Sequence, residues 1–256
     1  MNKTHIRRSF DRAADSYDRA AGLQRKVCDA LESALEANPD ALPEGMLLDA
    51  GCGTGYGATL LERRFPGHPR VLADFAPAML ERSRSGDRQL LCADLEALPL
   101  AGNSVALYWS SLAVQWCDLG CCLEEAARVL APRGVLAFST LGPGTFAELG
   151  EAFAGIDDHR HVLPFAPPAT CGEAMLRAGF HELRVERKKI QVFYPDLRTL
   201  LRAIKDIGAN QVGAPRRSTF LGKTAWRAIE QRYEAHRSAE GLPATYDVVL
   251  CTAVNP

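Results

Sequence analysis

The chain has 256 residues, 47% of them apolar and 24% charged, with a formal net charge of −1. That composition fits a soluble globular protein with room for one large α/β domain, and its near-neutrality gives no global argument for a nucleic-acid or membrane partner. No apolar run approaches the roughly 20 residues of a membrane span, the opening MNKTHIRRSFDRAADSYD lacks the apolar core of a signal peptide, and eight cysteines without a C-x-x-C predict reduced thiols in a cytoplasm and no metal site.

In chain order, Ala20, Leu23, Val27, Leu31, Ala34 and Leu35 recur at helical spacing until the turn-rich NPDALPEG, so residues 1–40 read as a helical cap. Short apolar runs then alternate with helical stretches. Strands are predicted at MLLDA (46–50), RVLAD (70–74), QLLCAD (89–94), VALYWSS (105–111) and GVLAFSTL (134–141), with helices at about 56–64, 77–84, 119–130 and 145–153. Buried-type strands alternating with helices predict an α/β, doubly wound, mostly parallel sheet over 41–155. The pattern changes beyond residue 155. GIDDHRHVLPFAPP reads as a loop, 168–178 as a helix ending at Gly179, and HELRVERKKIQVFY (181–194) as a strand with one wet face. Helices near 196–207 and 222–237 precede a last buried strand, TYDVVLCTAV (245–254). Residues 156–256 thus read as the second half of one domain, with 195–240 a helical lid inserted between its two final strands.

LLDAGCGTGYGA (47–58) sits where a nucleotide site belongs, after the first strand and before a helix. Read from Gly53 it satisfies G-x-G-x-x-A, a dinucleotide fingerprint. Asp49 argues against that reading, because a carboxylate beside a diphosphate is repelled where water is scarce. S-adenosylmethionine has no phosphate, and its ammonium is attracted by an acid. Asp74 ends the second strand, where an acid accepts hydrogen bonds from ribose hydroxyls of either cofactor, or caps the helix opening at Pro77. Asp94 ends the third, facing an adenine amino group or capping the next turn. A dinucleotide site and a purely structural turn remain as alternatives.

LLDAGCGTG, LADFAPAML, CADLEALPL and RVLAPRGVLAFST stand in the order and spacing of the class I S-adenosylmethionine-dependent methyltransferases, which the chain resembles. Arg133-Gly134 replaces the Gly-Gly of many members. The resemblance implies a Rossmann-like, seven-stranded sheet with its last strand antiparallel, and S-adenosyl-L-methionine held around Asp49, Gly51, Cys52, Gly53, Asp74, Phe75, Asp94, Leu95 and Ser110.

SFDRAADSYDRAAGLQ (9–24), SSLAVQWC (110–117), LLRAIKDIGANQVGAPRR (200–217) and GLPATYDVVL (241–250) narrow the resemblance. Together they are similar to the biotin-pathway family that methylates the free carboxylate of malonyl on acyl carrier protein, at the start of pimeloyl chain synthesis. That carboxylate is ionised at neutral pH, so the chemistry needs alignment and no general base, with mixed Tyr and Arg/Lys contacts expected around it. Tyr17, Trp116 and Lys205 are the candidate acceptor-site residues, with Gln115 and His161 beside them. Each has a plain alternative: a core tyrosine, wall packing, a solvated basic face, a loop histidine. Arg177 to Arg237 holds 14 Lys/Arg against 6 Asp/Glu. A basic lid around Arg198, Arg202, Lys205, Arg216 and Arg217 suits an acidic carrier protein better than nucleic acid, since aromatic interleaving is missing. Competing functions are methylation of trans-aconitate (whose methyltransferase shares the QW pair) or a quinone precursor, a non-methylating assembly role, and a dehydrogenase.

Overall fold

The structure, a computed structural model, describes residues 2–36, 42–156, 162–209 and 222–256. Seven strands form one sheet: β1 (Met46–Ala50), β2 (Arg70–Asp74), β3 (Gln89–Cys92), β4 (Val105–Ser111), β5 (Leu130–Leu141), β6 (His181–Tyr194) and β7 (Leu242–Val254), in the order β3-β2-β1-β4-β5-β7-β6. β1 to β5 are parallel, and β7 runs antiparallel to both β5 and β6. The expected fold class, with its last strand antiparallel, is therefore observed. The chain reverses its direction of growth between β1 and β4, and a doubly wound sheet opens its ligand crevice at that switch point.

The central strands are apolar along their whole length because helices cover both faces. On β4, Leu107 and Trp109 face one helical layer and Tyr108 the other. The first layer holds α2 (Gly22–Ala34), α3 (Tyr56–Arg64), α6 (Ala147–Phe153), α8 (Leu197–Asp206) and α9 (Lys223–Glu234). The second holds α5 (Leu119–Val129) and α7 (Pro168–Arg177). α8 and α9 lie between β6 and β7 in the chain. α1 (Lys3–Ala20), whose start is capped by the Asn2 side chain, packs against α4 (Pro77–Ser83) and α8.

Three expectations change. β3 stops at Cys92, so Asp94 lies in the following turn. β5 starts at Leu130, upstream of the predicted 134, and absorbs Arg133 at φ 62° with a register shift against β4. β6 is wet on both faces from His181 to Glu182 and again from Arg184 to Lys189; only Leu183 and the far end, Ile190, Val192, Phe193 and Tyr194, are half-buried. It is the edge strand, and charged side chains there discourage edge-to-edge pairing.

Candidate active site at the switch point

β1 delivers the glycine loop to the crevice. Gly51 (φ +77°) has no room for a side chain, since a Cβ would lie 2.2 Å from the Ala113 Cβ. Gly53 (φ +53°) lies under Tyr17, whose hydroxyl would be 3.7 Å from a Cβ there. Bare backbone therefore forms this floor of the crevice.

Three acids ring it. Asp49 is 3% exposed, and its Oδ2 has no hydrogen-bond partner. Burial pushes its pKa up to about 7, against the lowering pull of the Ala58 N–H. Asp74 accepts the Gly53 N–H at 2.9 Å and the Ala76 N–H at 2.8 Å, and burial lifts it to about 6 despite those bonds. It orders the loop and holds the chain just ahead of α4, whose N-cap is Ala76 without a side-chain cap, so Asp74 is not the helix cap. Asp94 accepts the Glu96 N–H at 3.1 Å and the Lys3 Nζ at 2.5 Å, while Lys3 also reaches Glu96 at 2.7 Å.

Three connected cavities open here. The largest well-enclosed one, about 610 Å³, runs past Gly51, Gly53, Asp74, Phe75, Asp94 and Leu95. A second, about 430 Å³, leads to Asp49, Cys52, Thr54 and Trp109. A third, about 570 Å³, is walled by Gln24, Gln115, Phe146, Phe165, Ile204 and Tyr246. Tyr17 borders all three, and Phe10 and Trp116 stand between the first and the third. Phe10 meets Trp116 edge-on at 5.6 Å.

Residues 48–138 match the family model described as "Methyltransferase domain". The chain is 48% identical to the malonyl-(acyl-carrier protein) O-methyltransferase of Dechloromonas aromatica, over 98% of this chain and 94% of that one. It is 43% identical to the enzyme of the same name from Laribacter hongkongensis, over 100% and 90%. The chain belongs to the malonyl-(acyl-carrier protein) O-methyltransferase family. Among solved structures, the YcgJ protein of Bacillus subtilis superposes with a TM-score of 0.61 at 13% identity, over 90% of this chain and 98% of that one, which shows the shared fold.

The walls of this family member fit S-adenosylmethionine in their donor chemistry. An orphaned carboxylate oxygen at Asp49 suits an ammonium, Asp74 and Asp94 suit hydroxyl and amino donors, and the glycine floor admits close approach. Of the nine positions expected around a cofactor, eight border these cavities. Ser110 does not. Its hydroxyl is fully buried and donates to the Ala50 carbonyl at 2.7 Å, tying β4 to β1. Ser111, pointing to the opposite face, borders the cavities instead.

Tyr17, Gln115 and Trp116 border the third cavity together. Lys205 stays out. It is exposed on α8, while Leu197, Leu200, Ile204 and Ile207 turn inward, and Ile204 and Ile207 border the cavity. The described wall of the third cavity carries no Lys, Arg or His, against the expected cationic contact. His161, Arg216 and Arg217 lie outside the described residues. Lys3 and Phe10 were missed. They precede Tyr17 at steps of seven, one face of α1, and that spacing was available in the sequence. Phe146 and Tyr246 had no such signal, since the loop after β5 and the start of β7 meet only in space.

Proposed function

We propose that the chain transfers a methyl group from S-adenosylmethionine to the free carboxylate of malonyl on acyl carrier protein. The observation that carries this reading is near-complete coverage by relatives of that name at up to 48% identity, and a three-way junction at Tyr17 supports it. Asp49 would hold the cofactor's ammonium, Asp74 its ribose hydroxyls and Asp94 its adenine amino group, with Phe75 and Leu95 against the ring. When bound, the cofactor would supply a methyl on a sulfonium sulfur, the O–C bond forming as the S–C bond breaks with its electron pair left on sulfur and no proton moved. The chain's part is alignment and exclusion of water, worth ~7–11 kcal/mol when the geometry is good. Tyr17 and Trp116 close over the junction.

Docking of the acidic carrier is assigned to the exposed cations of the insertion. Of the expected cations, Arg198 is engaged internally, pairing with Glu230 at 3.2 Å and lying 5.5 Å over the Trp226 ring. Arg202 and Lys205 are exposed on α8 and form no ion pair with a described residue, so they lead the proposed docking face.

Purified protein incubated with methyl-labelled cofactor and malonyl carrier protein should yield a base-labile methyl ester. Label appearing on free trans-aconitate and not on malonyl carrier protein, or on neither, would reject the assignment.

A further inference from the structure

The acid-end cavity and the acceptor cavity share two residues, Tyr17 and Gln24. Gln24 lies in the first turn of α2, and its Oε1 is buried without a hydrogen-bond partner. A buried amide left unsatisfied costs free energy. The packing of α2 does not call for one, because Leu23, Val27 and Leu31 supply its core face. The residue borders both cavities, and half a turn about its terminal torsion exchanges oxygen and NH2, so its amide can present the NH2 to a ligand.

The two cavities differ in what they still lack. At the acid end, Asp49 already presents an unpartnered oxygen for a cation. In the acceptor cavity, the Gln115 Oε1 accepts the Thr140 hydroxyl at 3.4 Å. Of the two amides on its described wall, Gln115 is engaged through its oxygen and Gln24 makes no hydrogen bond within the protein, and neither does the Tyr17 hydroxyl beside it.

We infer that Gln24 grips the acceptor: its NH2 donates to one oxygen of the carboxylate, Tyr17 steadies the group, and the second oxygen faces the methyl. This rests on the carboxylate-methylation reading above. A neutral amide suits the task. It holds the anion in place without the charge-assisted bond that an ammonium or guanidinium would form, and so leaves the oxygen nucleophilic.

Wild type, Gln24→Met and Gln24→Glu are compared by steady-state kinetics with malonyl carrier protein, by calorimetric titration with S-adenosylhomocysteine, and by thermal melting. Gln24→Met should melt no lower than wild type and keep its S-adenosylhomocysteine Kd within about threefold, while kcat/KM for the malonyl carrier falls about tenfold or more. Gln24→Glu should fall further, because its carboxylate repels that of the acceptor. The inference is overturned if Gln24→Met keeps wild-type kcat/KM, or if the loss appears as weaker S-adenosylhomocysteine binding with the acceptor KM unchanged. Failure of the wild type itself to methylate malonyl carrier protein overturns the functional reading, and this inference with it.

Discussion

Asp49 is a carboxylate kept where a carboxylate is expensive. It is buried, one oxygen has no partner, and its pKa is lifted to about 7. Gly57 permits the arrangement, since a Cβ there would sit 2.8 Å from the Trp109 Nε1 and 3.0 Å from the Asp49 Oδ2. Asp49 and Asp74 bind their protons more tightly folded than unfolded. The ligand-free chain therefore loses that stabilisation as pH climbs from the ordinary carboxylate range toward 7. Binding an ammonium reverses the balance, because it needs the ionised acid. The Kd for S-adenosylhomocysteine should rise about tenfold between pH 8 and pH 6 in calorimetric titrations, and Asp49→Asn should bind weakly with a flat profile. A flat wild-type profile would remove Asp49 from the cofactor's ammonium. The acid was legible at this position because like charges repel, whatever the fold. Its orphaned oxygen was not, since Trp109 and Gly57 reach it only through packing.

Elements bring together the wall of the third cavity, the proposed acceptor site. The loop after β5 closes on the buried Asp247 of β7, which accepts Arg187 Nε at 2.5 Å, Arg187 Nη2 at 2.7 Å and the Gly144 N–H at 2.9 Å. That closure sets Phe146 against Tyr246, ring centroids 4.7 Å apart, at the cavity. Arg187 holds the Asp247 carboxyl below the usual range, so this clamp contributes stability above ordinary carboxylate pKa values and loses it as pH falls through the lowered one. Arg187 is itself 52% exposed, so screening trims its worth. Arg187→Met should lower the urea midpoint and raise the acceptor KM while leaving cofactor affinity alone; an unchanged midpoint would show that the clamp is idle. Periodicity found the strand β6 that carries Arg187, and missed that both its faces are wet over most of its length. Alternation reports a pleat, whereas edge position depends on where the other six strands lie.

Across the whole molecule, the cations of the insertion are separated from the third cavity. Arg177 to Arg237 carries 14 cations against 6 acids, yet the described wall of the third cavity, the proposed acceptor site, is uncharged. A cationic exterior steers an acidic partner, and a neutral pocket leaves its carboxylate reactive. Raising salt from about 50 to about 500 mM should increase KM for malonyl carrier protein several-fold with kcat little changed, and Arg202→Glu with Lys205→Glu should blunt that dependence. A salt-independent KM would detach the basic face from docking. The sequence by itself determined the sheet's strands, the glycine loop and the acids that end the first two strands, because backbone sterics, hydrophobic period and like-charge repulsion act between near neighbours. It also placed the chain among methyltransferases of a malonyl carrier, through stretches spread over its length. Only the tertiary structure decided which side of a helix or strand reaches the site. It turned Lys205 outward, committed Ser110 to the Ala50 carbonyl and left Gln24 unpartnered between two cavities. Those outcomes depend on which surfaces meet when α1, α2, α8 and β7 pack together, and a one-dimensional pattern contains the faces but not their partners.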